Sequence, residues 1–450
     1  MTAAVDWAGL ERGLRDGVLR AARTWVGEHP AEPLGVVAFH HLYAETDGPI
    51  YLPVLALVGA DTFAALPDDL QWSVADWADS DVDWVSTEQA AEWQSALTVY
   101  ACSGSVEHWE TTFDQFIDVL VEVCRQARSE LSASGIDCLV VLLDDDDRFQ
   151  ESVLRRILTP GEVSRYFPWY DERAAELARV AALPEAEQAA YYVSRLDGSP
   201  TVVDSERAEA ALRGLGRAAV DVLLPVLTVD GRAWRAAMLL ADIGRPDDDV
   251  VAGLTDALDR RRGPDRDWAA RALSRLGRLD IVLDRIDRLP SSVVVTALAA
   301  PYKAFRDRSV APRRLDYAPL TEAIERWPDL EPALREELKP GTPFCHISRE
   351  EVDEALAGLG SPHRVVRRHA VDVLGERGLG PDVGARVLPR LAQVIRTDPD
   401  PVVRRLAILS LAWWRHEARP YVDAIRQALD DPDPSVQDTA AQVLQDQRLS

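Results

Sequence analysis

Asp398-Pro399-Asp400-Pro401-Val402-Val403-Arg404-Arg405-Leu406-Ala407 decides how this chain is read, because its opening returns 33 residues later as Asp431-Pro432-Asp433-Pro434, followed by Ser435-Val436-Gln437-Asp438-Thr439-Ala440. A looser copy, Ser361-Pro362-His363-Arg364-Val365-Val366-Arg367-Arg368, lies 37 residues upstream. An Asp or Ser before a helix takes up free backbone N–H groups, and Pro at the first helical position gives up a donor that had no partner. Each phrase therefore starts a helix. A second apolar segment precedes the last restart, Tyr421-Val422-Asp423-Ala424-Ile425-Arg426-Gln427-Ala428-Leu429. Two helices per 33 to 37 residues predict an all-α superhelical solenoid, in which a repeat buries its apolar face only against its neighbours.

Working upstream, the same grammar of helix pairs reaches back to about residue 200. Segments 206–216 and 219–227 make one pair, 234–244 and 250–258 a second, and 268–277 and 281–289 a third, with Trp234 and Trp268 34 residues apart. Residues 301–348 interrupt it with seven prolines, so the repeats there are expected to be degenerate. Phrases such as Val403-Arg404-Arg405-Leu406-Ala407 and Trp268-Ala269-Ala270-Arg271-Ala272-Leu273-Ser274-Arg275-Leu276-Gly277 resemble HEAT repeats of the short bacterial kind over about 200–447. What that resemblance implies is a binding stack.

The first 180 residues read differently. An i, i+4 stripe of Leu10, Leu14, Val18 and Ala22 predicts an opening amphipathic helix. Apolar runs at 34–42 and 50–58, separated by Glu45-Thr46-Asp47-Gly48-Pro49, predict a β-hairpin. A helix over 107–128 and a buried strand over 136–143 follow. These make an α+β domain at 1–180, joined by a linker at 181–199 to the helical domain at 200–450. The opening helix, Phe39-His40-His41-Leu42-Tyr43-Ala44-Glu45-Thr46-Asp47 and Trp72-Ser73-Val74-Ala75-Asp76-Trp77 together resemble the bacterial family catalogued as domain of unknown function 4303. The resemblance departs at Ala60-Asp61-Thr62, where an Asn-Thr phrase is expected. It supplies no catalytic residues and implies a bacterial accessory domain of the kind met near toxin-immunity loci.

Charge separates the two parts. The chain carries −25 overall, and residues 1–180 hold 12 basic against 32 acidic side chains. No Lys or Arg occurs between Arg23 and Arg125, while 18 Asp and Glu do. Arginine codons are used freely elsewhere, since 48 of the 50 basic residues are Arg. Such a domain repels nucleic acid and anionic membrane and attracts cationic partners.

Candidate sites follow from these patterns. Trp72, Trp77 and Trp84, set among Asp76, Asp79, Asp81 and Asp83 and preceded by Asp68 and Asp69, read either as core aromatics under a solvated acidic face or as anchors for a basic protein ringed by carboxylates. Arg364, Arg367, Arg368, Arg404 and Arg405 recur at matching repeat positions. They read as an inter-repeat ladder onto Asp398, Asp400, Asp431 and Asp433, or alternatively as a phosphate-binding, nucleic-acid face. Asp144-Asp145-Asp146-Asp147 after the last strand reads as a solvated turn, with a divalent-metal site as the alternative. The histidines show no metal spacing, and no P-loop, dinucleotide fingerprint or nucleophile elbow is present. No catalytic residue, cofactor or metal is expected. Cys102, Cys124, Cys138 and Cys345 have no paired spacing, and no apolar run reaches the ~20 residues that span a bilayer. A cytoplasmic protein-binding scaffold is the expectation, its concrete form an immunity-type protein that neutralises a basic toxin.

Overall fold

The computed structural model describes residues 5–42, 46, 48–67, 70–143, 149–198, 202–304, 314–342 and 344–445. The chain divides into two units, Met1–Ala174 and Ala175–Ser450.

The first unit is α+β. Helix Trp7–Glu28 starts at Asp6, whose carboxylate accepts the Gly9 N–H, and its stripe of Leu10, Leu14, Val18, Ala22 and Trp25 is buried. It packs against the longer helix Val106–Ala133, which buries Phe113, Phe116, Leu120 and Cys124. Three strands, β1 (Leu34–His40), β2 (Val54–Gly59) and β3 (Leu139–Leu142), form a sheet in the order β2-β1-β3. The β1–β2 pair is the antiparallel one read from sequence, with Ala38 opposite Ala56. β3 runs parallel to β1, Ala38 opposite Val141, which requires a crossover, and the long helices supply it. Central β1 is apolar on both faces because both are covered.

Sequence reading gave no range to several helices of this unit, Ala60–Ala65, Gln150–Ile157 and Pro160–Tyr166 among them, and the longest of those it left out is in the acidic stretch. Thr87–Ala101 lies within the acidic tryptophan-bearing stretch, capped by the Ser86 hydroxyl, and only Leu97 and Ala101 are buried along it. Its apolar stripe is too thin to stand out against Glu88 and Glu92.

The second unit is built of helices, with one isolated antiparallel bridge, Lys303 to Phe344, among its described residues. Ser205–Gly214 pairs with Arg217–Val226, and Ala233–Ile243 with Asp248–Arg260. Gly244 closes the third of these in the left-handed region (φ 72°), which a side chain would strain. Pro264–Arg275 follows, with Trp268 lying 6.3 Å, centroid to centroid, from Trp234 of the preceding repeat. Its expected partner over 281–289 is instead a short helix, Leu279–Leu283, continued by single i→i+3 turns up to Pro290. Proline there ends the helical path, and Asp284, Arg285, Asp287 and Arg288 leave little apolar surface to bury. Within 181–199, Glu185–Ser194 is a helix that packs against Arg217–Val226. The proline-rich section holds only short helices, Ala318–Arg326 and Glu331–Glu337. Regular pairing resumes with Val352–Gly358 and Arg364–Val373, Pro381–Thr397 and Pro401–Trp413, then Val422–Gln427 and Pro434–Gln445.

Candidate interaction surfaces

The repeated Asp-Pro-Asp-Pro phrase does two jobs with two carboxylates. The second Asp of each copy caps its helix: Asp400 Oδ1 accepts the Val402 N–H and Asp433 Oδ1 the Ser435 N–H, both at 2.9 Å. The first Asp folds the turn and receives the previous repeat. Asp398 Oδ1 accepts the Asp400 N–H, and the Arg367 guanidinium donates Nε to Asp398 Oδ2 (2.8 Å) and Nη2 to Oδ1 (3.3 Å). Arg404 repeats this one step on, reaching Asp431 at 2.8 and 2.7 Å. Each arginine also turns back on its own phrase, Arg367 to the Ser361 carbonyl and Arg404 to the Asp398 carbonyl. These pairs are nearly buried, so Arg404 holds the Asp431 carboxyl below the usual carboxylate range, chiefly by hydrogen bonding.

Position 437 tests the pattern. Gln437 stands where Arg404 and Arg367 stand in the earlier copies, and its amide donates to the Asp431 carbonyl just as those arginines bond back. Upstream the ladder takes another form: Asp242 receives Arg213 (3.1 Å) and Arg275 (2.5 Å), and Glu209 receives Arg235 (2.6 Å).

The five arginines read together in sequence thus split into two sets. Arg367 and Arg404 are ladder groups. Arg364 and Arg368 instead approach Asp400, at 2.9 and 3.6 Å, and the Arg405 guanidinium makes no hydrogen bond or ion pair among the described residues.

In the first unit, Trp77 and Trp84 lie in the core. The Trp77 indole N–H donates to the Gln71 carbonyl, while Trp84 stands edge-on to Phe39 of β1. Gly17 is needed beside it, since a Cβ there would sit 2.7 Å from the Trp84 carbonyl oxygen. Trp72 is half-buried, bonded to the Tyr166 carbonyl and lying against Phe167 at 4.4 Å. Asp79 accepts the Trp25 indole N–H at 2.7 Å, and its backbone bridges to Leu57 at the edge of β2. These four hold the segment to the fold and offer a partner little ring surface. Asp76, Asp81 and Asp83 are exposed, as are Glu88, Glu92, Glu107 and Glu110 further along. Residues 144–147 and Asp68 and Asp69 lie outside the described residues, as do Glu45 and Asp47 of the β1–β2 connection.

A cavity of about 850 Å³ opens in the second unit where the repeat pattern breaks. Leu279, Leu283, Pro301, Pro319 and Trp327 supply its apolar lining. Around them stand exposed carboxylates of Asp280, Asp316, Glu322, Glu350 and Asp353, against the cations Arg314 and Arg326. No residue of this cavity was singled out in sequence; the proline cluster at 301–348 was the available signal.

Among the described residues, no group of three His, Cys, Asp or Glu side chains could hold a metal, and no helix is long and apolar enough to cross a membrane. Cys138 and Cys345 are pushed up to about 12 by burial, which leaves these thiols inert at neutral pH.

No curated protein sequence is significantly similar to the chain. Among solved structures, a chain of the CpcE–CpcF complex of phycocyanin lyase from Nostoc sp. PCC7120 is 17% identical, with 58% of this chain and 94% of that one aligned and a TM-score of 0.21. The karyopherin Kap121p is 14% identical, with 98% and 46% aligned and a TM-score of 0.28. Kap121p bound to the extreme C-terminus of the protein phosphatase Cdc14p gives 14%, 97%, 46% and 0.26. These superpositions are too loose to say anything of function. The family model for HEAT repeats matches at 346–412 and 388–449, the stretch that contains the Arg367–Asp398 and Arg404–Asp431 rungs, so the C-terminal part of this chain carries HEAT repeats.

Proposed function

We propose that the chain is a non-enzymatic protein-binding scaffold whose partner is a cationic protein. The observation that carries this reading is the surface of the first unit: a 101-residue span without Lys or Arg presents Asp76, Asp81, Asp83, Glu88, Glu92, Glu107 and Glu110 to solvent. A field of one sign steers an oppositely charged partner and weakens as salt shortens the ~10 Å screening length. The acidic rim of the 850 Å³ cavity adds a second surface of the same sign, with Trp327 and two leucines for apolar contact. In concrete form the partner is a basic toxin and the chain its immunity protein, acting in a reducing cytoplasm; the resemblance of the first unit to domain of unknown function 4303 supports that form. The alternative, a nucleic-acid face on the repeats, loses Arg367 and Arg404 to the ladder.

The test is capture from native lysate with the full chain, then association kinetics of the captured protein at low and high ionic strength. A basic protein whose association rate falls steeply with salt is expected. A partner that associates at a salt-independent rate overturns the reading.

A further inference from the structure

The repeat pattern fails at one place in the second unit, and a built cavity lies there. After Pro264–Arg275 the helix that should complete the pair is only the five-residue Leu279–Leu283. Leu279 and Leu283 are left half-buried, and with Pro319 and the half-buried Trp327 they line the cavity of about 850 Å³. A further stretch of its wall, 314–316, precedes the helix Ala318–Arg326 and is fixed by hydrogen bonds. The buried Tyr302 hydroxyl donates to the Asp316 carbonyl at 2.7 Å, Glu351 accepts the Leu315 N–H at 2.5 Å, and Glu354 accepts the neighbouring Tyr317 N–H at 2.9 Å. A ligand would find this wall already in place.

Two observations say what the cavity suits. Asp280, Asp316, Glu322, Glu350, Asp353 and Glu354 line it, against Arg314 and Arg326. Asp280 and Asp353 are paired with Arg278 and Arg386, which lie outside the lining, whereas Glu322 and Glu350 are exposed and make no ion pair or hydrogen bond among the described residues. Arg326 is held over the Trp327 ring, 4.5 Å from its centroid. Independently, Ser274 lines the cavity while only 4% exposed, and its hydroxyl has no hydrogen-bond partner among the described residues. A buried hydroxyl that a fold leaves unpaired is uncommon and calls for a partner from outside the chain.

We propose that this cavity binds a small organic cation, an amine carried on an aromatic or alkyl body. Its volume falls within the ~300–1,000 Å³ of small-molecule sites, which combine an apolar wall with a few convergent polar groups. The leucines, prolines and Trp327 take the body, Glu322 and Glu350 take the ammonium, and the Ser274 hydroxyl gains a partner when the cavity fills. The excess of carboxylates disfavours an anion of the same shape. This site stands apart from the acidic face of the first unit, and a purified chain with a defined amine tests it without any captured partner.

The experiment is fluorescence titration of the full chain with dansylcadaverine, whose amine is charged at neutral pH, beside neutral dansylamide and anionic dansylglycine. Saturable binding in the order amine, neutral compound, anion is expected, with about fivefold between the first two at low salt and less at high salt. Glu322→Gln/Glu350→Gln alters two exposed side chains that hold nothing in the fold, so it should remove the amine preference and leave dansylamide binding unchanged. Trp327→Ala should weaken all three alike, by about tenfold, through lost apolar contact. No saturation with the amine, or an anion bound as tightly as the amine, overturns the proposal. Wild-type affinity in both variants would put the amine elsewhere on this acidic chain and overturns the site. Should Trp327→Ala fail to fold, the glutamate variant decides: an amine preference equal to that of wild type overturns the site.

Discussion

Arg404 and Asp431 form a two-pronged pair across adjacent repeats, Nε to Oδ2 at 2.8 Å and Nη2 to Oδ1 at 2.7 Å, with each residue 9% exposed. Removing one member strands the other charge in a poorly solvated place, which costs about 3 kcal/mol at such sites. Asp431→Asn should therefore be clearly less stable than wild type at pH 7, by denaturant unfolding of the C-terminal part. The pH dependence has a definite sign. Asp431 is an acid held below its ordinary value, so its contribution is present above the unfolded value of ~3.9 and is lost as pH falls through the folded one. The gap between wild type and variant should close as the pH drops below that range. A gap that is constant with pH would show that the pair is not ionic in effect.

Asp433 has a simpler role. Its Oδ1 accepts the Ser435 N–H at 2.9 Å and the Ser435 hydroxyl at 2.6 Å, and no arginine touches it. Asp433→Ala should lower stability by about 1 kcal/mol, and Asp433→Asn by only a few tenths. Equal thermal midpoints for Asp433→Ala and wild type would remove the cap from the account of the repeat.

How far these features could be read from sequence follows from their range. The 33-residue phrase announces period, caps and the Asp partners of the ladder, because each is set by residues within one turn or one repeat. The division of the arginines could not be read: Arg367 and Arg368 are neighbours in the chain, yet a 100° step on the helix sends one to Asp398 and the other toward Asp400. Sequence left Trp77 open between a core ring and an anchor, and its burial decides for the core; only the sheet edge and Trp25 reveal that Asp79 is held inward.

His369 is a buried group whose charge state the fold fixes. Its Nδ1 accepts from the Tyr317 hydroxyl at 2.7 Å, and Nε2–H donates to the Tyr302 carbonyl at 2.9 Å. Burial lowers it to about 4, so the unfolded chain takes up a proton below ~6.5 that the fold refuses. Stability should then be full above that value and fall progressively from there to about pH 4. His369→Gln should flatten this part of the profile, and Tyr317→Phe should cost about 1–2 kcal/mol at pH 7 by leaving Nδ1 unpaired. Asp372, raised to about 6 by burial, acts in the opposite sense over the same range, so the deciding quantity is the difference between wild type and His369→Gln; a difference that does not change with pH would contradict a neutral buried imidazole.

The acidic segment separates into structural and surface residues. Trp77→Ala removes a core ring 5% exposed and should cost about 3–5 kcal/mol in the first unit. Asp76→Asn/Asp81→Asn/Asp83→Asn touches only exposed carboxylates, should leave the melting midpoint within about 1 °C, and should slow association with a captured basic partner several-fold at low salt. Wild-type association by the triple variant would assign this face to solubility alone and move the partner to the cavity rim near Trp327.

Glu185–Ser194 lies within the segment read as a linker, yet Ala189 is fully buried and Tyr192 is 8% exposed. They join a core with Ala208, Leu212, Val220 and Leu223 of the next two helices. A stack of this kind buries each repeat only against its neighbours, so its first repeat needs a covering element. A fragment starting at residue 195 would uncover that core, while one starting at 175 would retain it. At ~25 cal/mol per Å² of apolar surface, uncovering roughly 150 Å² corresponds to about 4 kcal/mol. The 175–450 fragment should therefore melt cooperatively by circular dichroism and bind little hydrophobic dye, and the 195–450 fragment should melt several degrees lower and bind the dye strongly. Equal midpoints for the two would show that the 185–194 helix is a tether and that the stack begins with Ser205–Gly214.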